Sequence, residues 1–386
     1  MSQARLATRP KNRRDLILTA ATDLFHRHGY HAVSLADIGE AVGVSSMAIY
    51  RHFASKEDLL IACFDRASAV LDQAIRGIEG GELPELAGAL VDSTIANWSL
   101  TRVYQQEVRS LSPGSLVRFE AARAAAVAPI IHAVRAANPA IAAIDLRVRF
   151  AALAGMLNIL CDPAAGTGQR AARRRIVDRA VGLLTMRDAP PSVERPSQAA
   201  APKVPRASSR EQILSAAIDR FATYGFAAVS IEDIAGDLGV SGPSIYYHFA
   251  NRDAMLGAGV RRAGEVMAAT IAHQVQTGAG LSGLIGSFID QLRDHRALFI
   301  VFFGHGPALA GGDAEAFRYH ASLLYDEWAA ALRGERPGLG ARDAVESVRV
   351  AIGACLKVAE IPAGFDQYDM RDHLAAIVNH LLGRAA

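Results

Sequence analysis

The sequence predicts an all-α protein assembled from two copies of one helical module. Three observations carry this. The string SLADIGEAVGVSSMAIYRHFASKEDLL, from Ser34 to Leu60, returns as SIEDIAGDLGVSGPSIYYHFANRDAML, from Ser230 to Leu256. Phe25 and Phe221, Gly29 and Gly225, Tyr50 and Tyr246, and Phe53 and Phe249 all share a single offset. Hydrophobic residues make up 51% of the chain but aromatics only 6%, the balance expected of alanine- and leucine-rich helices packed through small side chains. Runs of valine and isoleucine alternating with polar residues, the mark of half-buried strands, are missing. At 386 residues the chain is long enough for two domains with cores of their own.

The predicted organisation is a basic arm (1–12), a first head (13–60), a first body (61–187), a linker (188–208), a second head (209–256) and a second body (257–386). The arm carries Arg5, Arg9 and Lys11, with Arg13 and Arg14 directly after it; Lys203, Arg206 and Arg210 precede the second head. Both clusters are placed to reach phosphates.

The first helix, about Arg13 to His28, stripes Ile17, Ala20, Ala21, Leu24 and Phe25 along one face and braces the pair of short helices behind which it packs. Ser34 caps the first of that pair, with Asp37 three residues on in a capping box. Ile38, Ala41 and Val42 bury its inner side, and Gly43 supplies a left-handed stop. Val44 plugs the turn, and Ser45 is read as the cap of a second short helix, Ser46 to Phe53. Ile49 and Phe53 form its buried rear, leaving Met47, Arg51 and His52 outside. A short helix with an apolar rear and a hydroxyl-rich front is what a helix-turn-helix presents to a major groove. The second copy repeats the pattern with Ser230, Asp233, Ile234, Leu238, Gly239, Val240, Ser241, Ile245 and Phe249. Ser55 opens the next helix, which runs to about Ile78, where Gly77, Gly80 and Gly81 break it. Further helices are predicted at 84–109, 114–137, 141–161 and 169–186. Residues 188–208 hold five of the fifteen prolines and read as a linker able to span roughly 60 Å when extended.

Cys63, Cys161 and Cys355 stand far apart and read as small buried apolar residues of a reducing compartment. His26, His28 and His31 have no counterparts in the second copy and read as solvated or helix-capping rather than metal-binding. No strand precedes Gly304-His305-Gly306-Pro307, so it reads as a helix connector rather than a phosphate cradle. The first fourteen residues lack the apolar core of a secretion signal, and no uninterrupted apolar run reaches about 18 residues. A cytoplasmic protein with no membrane association is expected. HExxH, CxxC, GxSxG and Walker-type motifs are missing, so no enzyme, no cofactor and no metal are expected.

The run Ile17, Leu18, Ala20, Ala21, Phe25, Gly29, Tyr30, Gly43, Val44, Ser45, Ile49, Tyr50, His52 and Phe53 resembles the TetR family of bacterial transcriptional repressors. The second copy matches almost position for position. The resemblance covers about the first fifty residues of each half; most members of the family carry one such module and dimerise, whereas this chain carries two. It implies two tandem TetR-like domains, each a three-helix head on a helical regulatory body, that bind a double-stranded DNA operator. Tyr50 and Tyr246 resemble the family position whose hydroxyl meets a phosphate, and Lys56 and Arg252 another phosphate-contacting position. With these, Ser34, Ser45, Ser46, Met47, Arg51 and His52 form the first reading head. Ser230, Ser241, Gly242, Ser244, Tyr247 and His248 form the second. Arg51 suits a bidentate contact to guanine. Because the heads differ, two different half-sites of an imperfect palindrome are expected, about 34–36 Å or a longer whole-turn spacing apart.

The resemblance also implies a small-molecule effector held in a body, apolar or aromatic in kind, lined by Trp98, Tyr104, Phe119 and Met156 or by Phe288, Phe299, Phe302, Phe303 and Trp328. In the family the last two helices of each body form a four-helix interface. Ala151, Ala154 and Gly155 would there face Ala351, Gly353 and Ala354, making one chain a pseudo-dimer. Two alternatives stay open: a homodimer of chains with four heads, and a helical ligand- or partner-binding protein in which one head alone meets DNA.

Overall fold

The computed structural model describes residues 13–78, 81–161, 169–187, 189–195, 209–361 and 364–384. Arg5, Arg9 and Lys11 of the arm, and Lys203 and Arg206 of the linker, lie outside the described residues. The chain divides into two compact units, residues 1–131 and 132–386. The division falls inside the expected first body because the last two helices of that body pack with helices of the second half.

In the first unit, α1 (Arg13–His28) buries Ile17, Leu18, Ala21 and Phe25. Gly29 ends it in the left-handed region, at φ 80°, where only glycine is unstrained. Then come α2 (Leu35–Ala41), α3 (Ser46–Tyr50) and α4 (Lys56–Arg76). Ser55 caps α4 by accepting the Asp58 N–H at 3.0 Å, worth about 1 kcal/mol. Beyond them lie α5 (Leu83–Ala96), α6 (Trp98–Glu107) and α7 (Pro113–Ala137). Phe64 of α4 meets Tyr104 and Phe119, with ring centroids 5.7 and 5.2 Å away, so head and body share one core.

The structure corrects three expectations. The second short helix closes at Tyr50, not Phe53; the N–H groups of His52 and Phe53 both turn back to the Ile49 carbonyl. That turn still buries Phe53. The Ser45 hydroxyl makes no capping bond; its carbonyl accepts the Ala48 N–H at 2.9 Å instead. The helix expected over 84–109 breaks at Asn97, whose φ of −122° and ψ of 37° leave helical geometry. Its side-chain amide donates back to Ser93 O at 3.0 Å, a local competition with the helix that carries no glycine or proline signal.

The second unit holds α8 (Ala143–Leu160) and α9 (Gln169–Thr185). Its head is α10 (Ser209–Tyr224), α11 (Ile231–Leu238) and α12 (Gly242–Tyr246), carried on α13 (Arg252–Gln276). The body continues through α14 (Gly280–Asp294), α15 (Arg296–His305) and α16 (Gly311–Glu335). It closes with α17 (Ala341–Ala359), α18 (Gly364–Gln367) and α19 (Arg371–Leu381). His295 breaks α14 from α15 at φ −130° and ψ 33°, repeating the Asn97 break of the first copy.

Helix α8 lies along α17, with α9 and α19 beside them. A Cβ at position 155 would overlap the Gly353 carbonyl, and one at 353 would stand 3.2 Å from the Gly155 oxygen. Glycine at both positions is therefore what lets the two backbones touch. The start of the stretch read as linker is pinned to this unit. Val193–Glu194 (β1) pairs antiparallel with Tyr368–Asp369 (β2), and Arg195 N–H donates to Gln367 O at 2.7 Å. Ser192 N–H donates to Asp145 Oδ1 at 3.0 Å, and His373 Nδ1 lies 2.8 Å from Pro190 O. Among the described residues, no helix is long and apolar enough to cross a membrane.

Candidate nucleic-acid interface

Each head presents a short helix whose rear is locked and whose front is open. Ile49 and Ile245, the rear residues, are fully buried. On the front of α3, Met47 is 68% and Tyr50 54% exposed, with Ser45, Arg51 and His52 exposed beside them. On the front of α12, Tyr246 is 53% and Tyr247 87% exposed. The Tyr247 ring stands edge-on to His248 at 5.1 Å, and Ser241 and Ser244 share a hydroxyl hydrogen bond of 3.0 Å.

The helix in front of each of these exposed short helices is fixed by the predicted capping box. Ser34 Oγ accepts the Asp37 N–H at 3.2 Å while Asp37 Oδ2 accepts the Ser34 N–H at 2.7 Å. Ser230 and Asp233 repeat both bonds at 3.1 and 2.8 Å. The Ser34 backbone N–H and then its hydroxyl hold the Asp37 carboxyl below the usual aspartate range. In the tight turn between α2 and α3, Val44 N–H donates to Gly39 O at 2.8 Å.

A notch of about 600 Å³ opens in the first head among His31, Ser34, Ser46, Tyr50, Ser55 and Lys56. It brings together four residues singled out from the sequence, Ser34, Ser46, Tyr50 and Lys56. Its hydroxyls and its ammonium are donors suited to a phosphate. Ser55, read from the sequence as a cap alone, joins them; a serine at the start of a helix beside a lysine is the signal that points to it.

Lys56 and Arg252 are engaged by their own heads. The Lys56 ammonium lies 4.3 Å from the Tyr30 ring centroid and 3.4 Å from His31 O. Burial lowers its pKa, with Glu107 and Asp37 opposing. Tyr30 N–H in turn donates to the buried Glu107 carboxyl of α6 at 2.9 Å. Arg252 sits 5.1 Å from the Phe226 ring and donates to the carbonyls of Phe226 and Val229. Two further cations behave alike: Arg14 lies over Phe53 at 5.0 Å and Arg210 over Phe249 at 4.6 Å.

The other sequence-predicted residues belong to the bodies. Tyr104 and Phe119 are 5.0 Å apart in the first unit, where Trp98 is also buried. Met156 is buried on α8 of the second unit. Phe288 stacks edge-on to Phe299 and Trp328, and Phe302 to Phe303. Gly155, Ala351 and Ala354 are buried on α8 and α17, and Ala151, Ala154 and Gly353 half-buried. All three cysteines are free and buried.

Comparison with known proteins matches the model of the bacterial regulatory proteins, tetR family, at residues 17–63 and again at 213–258. The transcriptional repressor AcnR of Corynebacterium glutamicum is 32% identical over 95 residues, covering 25% of this chain and 50% of that protein. The repressor KstR2 of Mycolicibacterium smegmatis is 31% identical over 113 residues, 27% of this chain and 54% of that one. The chain thus spans about half the length of these curated relatives. A TetR-family regulator from Bordetella parapertussis superimposes with a TM-score of 0.39 at 22% identity, over 45% of this chain and 94% of that one. With one family model matching twice, each time on a capped head of the same build, the two heads are a tandem pair of TetR-family modules.

Proposed function

We propose that the chain is a ligand-responsive transcriptional repressor whose two heads grip one imperfectly palindromic operator from a single polypeptide. The observation that carries this is the outward face of α3 and α12, where hydroxyls, tyrosines and, in the first head, Arg51 are exposed over a locked apolar rear. The close glycine contact between α8 and α17 supports the pseudo-dimer, since it joins one helix from each half of the repeat. A ligand would release the DNA by binding better to a conformation with the heads wrongly spaced; equal affinity for both would shift nothing.

DNA fragments selected from a random pool by the purified chain, with the complex then sedimented, test the reading. One chain per bound duplex is expected. Two or more chains per site would replace the pseudo-dimer with a homodimer carrying four heads, and failure to enrich any sequence would end the DNA-binding role. One observation favours a narrower reading: Gly242-Pro243 stands where the first head has Ser46-Met47, and Tyr247 where it has Arg51. In that case the second head clamps the backbone and the first reads the bases.

A further inference from the structure

A cavity of about 190 Å³ lies between α9 and the corner joining α16 to α17, away from both heads. Its walls come from both halves of the repeat. Arg175 and Arg179 of α9 enter from one side; Arg336, Asp343 and Glu346 enter from the other. Three guanidiniums against two carboxylates leave the lining one positive charge in excess. Leu160, Ile176 and Leu339 supply an apolar wall beside the charges.

The cations are only loosely neutralised. The Arg179 guanidinium is 3.9 Å from Glu346 Oε1 and 3.4 Å from Ser347 Oγ, both long for hydrogen bonds. Arg336, which lines the cavity, is held in place by a 2.7 Å bond to Leu382 O. Arg175 has no ion pair among the described residues and is exposed. Burial lowers the pKa of Arg179; Glu346 and, to a lesser degree, Asp343 oppose this, and Arg175 and Arg336 push it lower still. A half-buried guanidinium pressed by two others is a site where an added anion relieves repulsion.

We propose that this cavity binds a small organic monoanion, a short-chain carboxylate, its carboxyl group in the Arg179 fork between Arg175 and Arg336. The hydrocarbon rests on Leu160, Ile176 and Leu339. Guanidinium forks match carboxylates two bonds at a time. A phosphate dianion suits the site less, since Asp343 and Glu346 oppose a second charge and the apolar wall would go unused. Bound there, the ligand ties α9 of the first half to α17 of the second. Under the repressor reading it is an effector, but the binding itself does not depend on that reading.

Calorimetric titration of the full chain with sodium hexanoate, without DNA, tests this, with sodium phosphate as a parallel arm. Saturable hexanoate binding is expected, weakened about tenfold or more by Arg179→Gln and by Arg336→Gln, as the loss of a charge-assisted bond implies. Arg175→Gln, at an exposed position, is expected to weaken it with the melting temperature unchanged, which keeps the test valid should the other variants fold poorly. Absence of saturable binding, equal binding by all three variants, or phosphate binding in place of hexanoate would overturn the proposal. With no DNA in the cell, such a failure leaves the operator reading standing, and loss of the operator reading leaves this site standing.

Discussion

The first and second heads share a frame and differ in face. Both set a left-handed glycine after the bracing helix, Gly29 and Gly225, and both close the same capping box. Both hold an aromatic edge-on to a buried phenylalanine, Tyr30 on Phe25 at 5.4 Å and Phe226 on Phe221 at 5.0 Å, and both cover it with a cation. The outward positions diverge: Ser46, Met47 and Arg51 against Gly242, Pro243 and Tyr247. So do the supports. Arg220 forks onto Asp237 and approaches Asp233 at 3.8 Å, where the first head has only Leu24 and Ala41 at the matching places. The outward positions differ most, while the rings, caps and turn glycines that build the frame agree. The duplication therefore yields one scaffold carrying two surfaces.

If the frame is truly common, deleting the same buried ring should cost both heads alike. Phe25→Ala and Phe221→Ala, each fully buried, are expected to destabilise their own heads by about 3–5 kcal/mol. Hydrogen exchange of α1 and α10 reads the two losses separately; a gap well beyond the usual scatter would break the comparison. The surfaces should respond unequally. Arg51→Ala is expected to lose about 1–3 kcal/mol of discrimination between operator and scrambled DNA, whereas Tyr247→Ala lowers affinity without changing sequence preference. Competitive gel shifts separate the two outcomes, and equal loss of preference in both variants would make the heads equivalent readers.

The frame was legible because periodic apolar residues, Ser-x-x-Asp caps and turn glycines are local signals, and doubling them removed ambiguity. Asn97 and His295 were not legible. Each ends a helix through backbone angles that neither residue type announces. Nor was the engagement of Lys56, since the ring of Tyr30 and the carboxyl of Glu107 reach it from distant parts of the chain. The arginine-lined cavity escaped for the same reason: Arg179 and Arg336 are far apart in sequence, and only the packing of α9 near α17 makes them neighbours.

The turn between the paired short helices offers a finer test. A Cβ at Gly39 would stand 2.6 Å from Val44 O, yet the matching position in the second head is already alanine, Ala235. Gly39→Ala is therefore expected to cost about 1–3 kcal/mol through overpacking of backbone. Ala235→Gly should cost only about 0.5–1 kcal/mol, the entropy of a freer helical residue. Urea denaturation monitored at each head decides; should Gly39→Ala be neutral, the two turns are the same after all.

Acid distinguishes the heads by their supports. Asp37 is held below the ordinary aspartate value of 3.8 by the backbone N–H and then the hydroxyl of Ser34. In the second head two carboxyls are depressed, Asp233 by the hydroxyl and then the N–H of Ser230, and Asp237 by the Arg220 fork. A carboxyl depressed in the folded state stabilises fully above its unfolded value and loses that contribution as pH falls through the folded one. Both heads should thus hold steady above about pH 5 and weaken below about pH 4, with α11 responding more steeply than α2 because it loses two such groups against one; Glu57 of the first head, also depressed, belongs to α4 and is held by Ser112. All three aspartate side chains lie at the surface, so the difference is small, and 1 M salt should shrink it by screening the Arg220 pair. Asp237→Asn is expected to make the acid response of α11 match that of α2 in hydrogen exchange. If the second head stays steeper in that variant, the arginine fork is not what sets the two apart.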